Sequence, residues 1–167
     1  RSCSSSFVNI LDEIAEEKRA NTWIEKTPDN VLVLGTILKY VPKSKVIHIV
    51  RNGADAVASL FEVTNKYKEH WSGGWTIDKC IDHWLRCINA THRFINEEEQ
   101  HFIVNYEHLV EEHAPILKEM CRFLGITYQT DMLAERDAAA SEITLASEEW
   151  KNNVSTKAQK LEHRKFD

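Results

Sequence analysis

Between Val46 and Val50 the chain reads VIHIV, an unbroken apolar and β-branched run around one histidine. It passes through Arg51 directly into NGADAVASLFEVTNKY, whose apolar residues recur at helical spacing. A short run with no polar alternation suits a strand covered on both faces, as strands of a parallel sheet are. A parallel neighbour cannot be reached by a tight turn and needs a crossover the size of a helix. The next candidate neighbour is HFIVNY, His101–Tyr106, with helical sequence between the two runs. This pair alone commits the chain to strands alternating with helices.

The remaining elements follow from the same signals. FVNILDEIAEEKR, residues 7–19, places Phe7, Ile10, Leu11 and Ile14 at helical spacing, with Ser6 as the expected N-cap. TWIEK is expected to be a short strand that Pro28 ends, and Asp29 to cap a helix through NVLVLGTILKY. After GGWT, one helix is expected across IDKCIDHWLRCINATHRFINEE. A further helix is expected across EHLVEEHAPILKEMCRFLG, with Gly125 as its stop. The predicted fold class is α/β, a three-layer, mostly parallel sheet with flanking helices, in one domain over residues 1–167. Three visible strands make a thin sheet, and the chain opens on Arg1 rather than Met, so an N-terminal strand is expected upstream.

At 167 residues, 43% hydrophobic and 28% charged, the chain has the composition of a folded domain. Its net charge of −5 gives no general field for nucleic acid, so an anionic ligand must be held by a local basic group. Cys3, Cys80, Cys87 and Cys121 show neither CxxC nor CxH spacing, which argues against structural zinc or a redox pair and for reduced thiols. No run approaches the length of a membrane span and no signal sequence is visible, so the expectation is a cytoplasmic chain without a membrane partner.

In an open parallel sheet, ligands bind where strands end and helices begin, so the residues just past each predicted strand come first. They are Glu25 and Lys26, Arg51, and Tyr106. Arg51 offers a planar fork of donors suited to a phosphate, and Asn52 and Gly53 allow backbone approach at a helix start whose dipole favours an anion. Ser59, eight residues on, adds a hydroxyl. Each charge-assisted bond is worth about 1.5–3 kcal/mol, enough for Arg51 and Ser59 to fix one phosphate despite the acidic net charge. Arg51 paired with Asp55, and Ser59 as an ordinary helix residue, is the alternative reading.

WIEKTPDN, VIHIVRNGADAVAS, VNYEHLVEE with LKEMCRFLGI, and EEWKNN resemble, in the same order, the successive motifs of the sulfotransferases that use 3′-phosphoadenosine 5′-phosphosulfate (PAPS). The resemblance implies a fold related to P-loop nucleotide hydrolases. It gives Arg51 and Ser59 the cofactor's 3′-phosphate, with Tyr106, Trp150 and Lys151 as further cofactor contacts. EKTP resembles the carbohydrate-modifying branch, which makes Glu25 the general base and Lys26 the cation facing the sulfate. Cytosolic small-molecule members carry a histidine base where this chain has Pro28. The family's phosphosulfate-binding loop, PRSGTT-like and preceded by a strand, is expected upstream. RSCSSSF imitates it only superficially, because Arg1 stands 24 residues before Glu25 with no strand ahead.

The implied reaction transfers a sulfuryl group from PAPS to a hydroxyl on a small-molecule or carbohydrate acceptor. It needs a base at the hydroxyl and a cation at the leaving oxygen, and no metal. Two rivals stand beside it. One is a noncatalytic domain that keeps the 3′-phosphate half of the site. The other is a nucleotide-dependent kinase, for which the chain shows no Walker-type loop or metal-binding acid.

Overall fold

A computed structural model describes residues 3–134, with the side chains of residues 3 and 4 left out. Helix α1 (Cys3–Glu17) is followed by an extended stretch, α2 (Asn30–Tyr40), β1 (Val46–Val50) and α3 (Gly53–Lys66). A 3₁₀ turn (Lys68–Trp71) then leads to α4 (Ile77–His92), β2 (His101–Asn105), α5 (Tyr106–Glu111) and α6 (His113–Leu124).

The two strands are parallel neighbours, in register from Val46 opposite His101 to Val50 opposite Asn105. The α/β reading holds: α3 and α4 form the crossover, and helices flank the pair. TWIEK is not a strand. Residues 22–27 run as irregular backbone, Ile24 is 90% exposed, and no strand pairs with this stretch among the described residues. Without a ladder partner its β propensity has nothing to act through. Trp23 is held from the side instead, its indole N–H donating to Asp12 Oδ1 on α1 at 2.9 Å.

Helix ends differ from the sequence reading for local reasons. Helix α1 begins at Cys3, so Ser6 lies inside it rather than at its cap. The helix expected through Glu98 stops at His92, where i→i+3 turns such as Phe94 N–H to Thr91 O (3.0 Å) take over. Those turns fold Phe94 back to stack on His101 at 4.4 Å and 14°. The helix after β2 breaks at Glu112 (φ −126, ψ 50). Pro115, three positions on, has no N–H to give, and its ring would clash with the carbonyl of Glu111 in a continuous helix. Gly125 ends α6 as expected at φ 78, with Ile126 N–H reaching Cys121 O at 2.9 Å to close the turn.

The core gathers between the crossover helices and the sheet: Leu34, Val57, Ala58, Cys80, Ala90, Val104 and Cys121 are buried. Full burial of a residue such as Val57 or Val104 stabilises by about 1.5–3 kcal/mol, a large share of a domain's total. His48 and His101 are also buried, at 6% and 4% exposure, and partner each other, while His101 Nε2 has, among the described residues, only the Glu97 carboxylate near it, at 3.7 Å. His48 Nε2 lies 2.9 Å from His101 Nδ1, and Thr91 Oγ1 lies 3.3 Å from His48 Nδ1. Burial lowers the pKa of both rings, for His48 with repulsion from His101 added, and for His101 with Glu97 partly opposing. His48 is thus a hydrogen-bonded core residue.

Candidate functional site

Parallel register decides the site's first contact. Because Val50 and Asn105 are partners, the next residue of each chain, Arg51 and Tyr106, leaves the same end of the sheet side by side. The guanidinium of half-buried Arg51 lies over the Tyr106 ring, 5.3 Å from its centre. Arg51 makes no ion pair with Asp55 or with any other carboxylate among the described residues. Its strong donors are not consumed by a salt bridge.

The start of α3 is built differently from the sequence expectation. Asn52 is the N-cap, its side-chain oxygen accepting from the amides of Ala54 (3.0 Å) and Asp55 (3.4 Å). The Asn52 amide itself donates to Glu107 Oε1 at 2.8 Å. Desolvation pushes the Glu107 carboxyl upward, but the Asn52 amide, its own backbone amide, Arg51 and Asn105 outweigh it and the net shift is down. An anion already sits at this helix start, and it belongs to the protein. A ligand phosphate here would lean on Arg51 more than on the helix dipole.

Gly53 has a second explanation too. A Cβ there would come within 2.9 Å of two ring carbons of Trp84, so the small residue lets α3 close onto α4. Ser59 is half-buried in the second turn of α3, and no hydrogen bond joins it to Arg51 among the described residues.

Glu25 and Lys26 are exposed on the irregular stretch before α2. Glu25 Oε1 accepts from Thr27 Oγ1 at 2.6 Å and Oε2 from the Asn30 side-chain amide, which fixes the carboxylate against the first turn of α2. No hydrogen bond or ion pair, among the described residues, links Glu25 or Lys26 to Arg51 or Tyr106. Trp150 and Lys151 lie outside the described residues. No described helix is long and apolar enough to cross a membrane.

Two features escaped the sequence reading. Glu107 is one; its only signal is an acid directly after a strand-end tyrosine, in NYEHL. The other is at Asp29, which occupies the N-cap position of α2 yet makes no side-chain cap bond. Its carboxylate turns instead to His83 Nε2 on α4, 3.3 Å away, and His83 Nε2 lies 3.7 Å from Cys87 Sγ. Burial, and then the Asp29 carboxylate, raise the Cys87 thiol pKa against the pull of Arg86.

A parallel strand pair joined by a helical crossover ends on an arginine that makes no ion pair among the described residues, with the next helix capped beside it. The profile of the Sulfotransferase family matches residues 3–130, and the chain belongs to that family. It is 28% identical over 140 residues to an uncharacterized protein of Aquifex aeolicus (strain VF5), covering 80% of this chain and 18% of that one. It is 28% identical over 141 residues to a Caenorhabditis elegans protein named "Putative protein-tyrosine sulfotransferase", covering 80% of this chain and 53% of the other. Among solved structures, the sulfotransferase domain from the curacin biosynthetic pathway shares the fold. The TM-score is 0.60 at 20% identity, over 75% of this chain and 46% of the other. The chain therefore spans about half the length of the nematode relative and under a fifth of the bacterial one.

Proposed function

We propose that the chain carries the nucleotide-binding and base-bearing part of a sulfotransferase that uses PAPS and an acceptor hydroxyl. The observation that carries this reading is Arg51 at the sheet's ligand edge. It is buttressed by the Tyr106 ring and bound by no ion pair among the described residues, beside a helix start where the amides of Asn52, Ala54 and Asp55 already have protein partners. Such a guanidinium suits a terminal phosphate monoester, the group that distinguishes PAPS from ordinary nucleotides. Ser59 supplies a hydroxyl to the same phosphate, and Tyr106 stands toward the nucleoside. Trp150 and Lys151 complete the cofactor contacts in this reading.

In the reaction, Glu25 takes the proton of the acceptor hydroxyl as its oxygen attacks sulfur in line. The bond from sulfur to the bridging phosphate oxygen breaks, and Lys26 offsets the negative charge that collects there. Thr27 and Asn30 hold the Glu25 carboxylate in one orientation, as a positioned base requires. The acceptor class includes small molecules and carbohydrates, and the nematode relative's name adds a protein tyrosine.

A second reading, nucleotide binding without turnover, draws on the separation of the two halves: no hydrogen bond or ion pair among the described residues joins Glu25 or Lys26 to Arg51. One titration separates both of these readings from a nucleotide-dependent kinase, and sulfuryl transfer by the parent chain against Glu25→Gln separates them from each other. The chain should bind 3′-phosphoadenosine 5′-phosphate more tightly than adenosine 5′-phosphate, by about tenfold or more, and Arg51→Ala should erase the difference. Equal binding of both nucleotides by the parent chain refutes the 3′-phosphate assignment.

A further inference from the structure

We infer that Asp29, His83 and Cys87 form a binding site for one divalent d-block cation of the zinc class, joining the EKTP stretch to α4. The three side chains present one carboxylate oxygen, one imidazole nitrogen and one sulfur, all within 4.8 Å of one another. That donor set is the borderline-soft mixture that zinc prefers, and magnesium or calcium would not select it.

Two of the three spacings fit a tetrahedral ion, and the third, Asp29 to Cys87, lies within 4.8 Å. Oxygen and nitrogen ligands each about 2.0–2.1 Å from a tetrahedral metal stand about 3.3 Å apart, and nitrogen and sulfur about 3.5 Å apart. Asp29 Oδ1 to His83 Nε2 is 3.3 Å and His83 Nε2 to Cys87 Sγ is 3.7 Å. His83 and Cys87 are one helical turn apart on α4, so their side chains share a face. Asp29 comes from another element and gives up the cap bond its position allows. Its side chain is 65% exposed while that of His83 is 16% exposed, which leaves the fourth position open toward solvent on the Asp29 side.

Binding displaces the proton from the Cys87 thiol, releasing one proton per ion. His83 must offer Nε2 as a bare lone pair and carry its proton on Nδ1 instead. Arg86 opposes this, because its guanidinium lies 3.4 Å from Nδ1 and can only donate. Arg86 is exposed and swings clear, at some loss of affinity. The site does not depend on the sulfotransferase reading. It adds to that reading a metal-dependent staple on the loop that carries Glu25, four residues before Asp29.

The test is titration of the full chain, thiols reduced, with Co²⁺ and then Zn²⁺. The expected result is one ion per chain, with tetrahedral d–d bands and a thiolate-to-cobalt charge-transfer band that Zn²⁺ abolishes. Cys87→Ser should lose the charge-transfer band. Asp29→Asn, a change at an exposed position with the fold checked by circular dichroism, should weaken Zn²⁺ at least about tenfold. Arg86→Gln should strengthen binding. Absence of a one-to-one complex, a charge-transfer band that persists in Cys87→Ser, or Zn²⁺ affinity unchanged in Asp29→Asn would each overturn the inference.

Discussion

Arg51 rides on the ring of Tyr106 because the residues before them, Val50 and Asn105, are partners in a parallel ladder. A one-residue slip in that register would send one of the two to the opposite face of the sheet. The guanidinium of Arg51 is thus placed by strand pairing, and its platform is an aromatic face rather than a carboxylate.

Removing the platform while keeping the charge should therefore weaken nucleotide binding modestly. Tyr106→Leu should cost about two- to fivefold in affinity for 3′-phosphoadenosine 5′-phosphate, the worth of a partly exposed cation–π contact, whereas Tyr106→Phe should bind like the parent. Calorimetric titration of the three chains decides it, and a loss in Tyr106→Phe equal to that in Tyr106→Leu would move the role from the ring to the hydroxyl.

Turnover should depend on Glu25 through its charge. With PAPS and a hydroxyl acceptor, Glu25→Gln should slow sulfuryl transfer by about 10²–10⁴ while nucleotide affinity stays roughly level. A transfer rate unaffected by the change would remove Glu25 as the base.

Acid should destabilise the fold through the buried histidine pair. Above the ordinary value of 6.5 both rings are neutral in folded and unfolded chains, so their full contribution is present. As pH falls below that value the unfolded chain takes up protons that the folded pair resists. Stability then declines until pH passes the lowered folded values, at most by about 1.4 kcal/mol per pH unit for each ring. Urea unfolding between pH 5 and 7 should show this slope, and His101→Gln should reduce it. An identical slope in the variant would assign the acid sensitivity elsewhere.

Two glycines on helices should respond in opposite directions to the same substitution. Gly53→Ala drives a methyl into Trp84 at 2.9 Å and should cost about 1–3 kcal/mol by overpacking. Gly35, within α2, has no neighbouring atom within 4 Å of a built Cβ, so Gly35→Ala should stabilise by about 0.5–1 kcal/mol. Denaturant midpoints of both variants against the parent suffice, and a neutral Gly53→Ala would mean that α3 and α4 can separate without penalty.

What the sequence made legible is what local chemistry dictates. VIHIV and HFIVNY could be read as parallel strands because continuous apolar runs and a helix-sized spacer have few other solutions, and Gly125 could be read as a stop because a positive φ favours glycine. Their register, and with it the approach of Arg51 to Tyr106, was not legible in this way, because it pairs Val50 with Asn105 across 55 residues of chain and neither run alone announces its partner. TWIEK misled because its β-branched and aromatic content says nothing about whether a partner lies alongside. Asn52 as a cap was within reach, but Glu107 closing on its amide joins positions 55 residues apart in the chain, and no local pattern announces such a bond. The cluster at Asp29, His83 and Cys87 escaped for the same reason: two members share a helix, but the third arrives from a different element.

The hydrogen bond between His48 and His101 spans 53 residues of chain, and each ladder pair, such as Val50 with Asn105, spans 55. Bringing such ends together costs about 3–4 kcal/mol of chain entropy before the first ladder bond repays any of it. Helices α3 and α4 shorten the effective distance once formed, so forming the crossover before the sheet is the less costly order. The contact of Arg51 with Tyr106 thus exists only where that long-range pairing does, and helices formed without the sheet would not bring the two residues together.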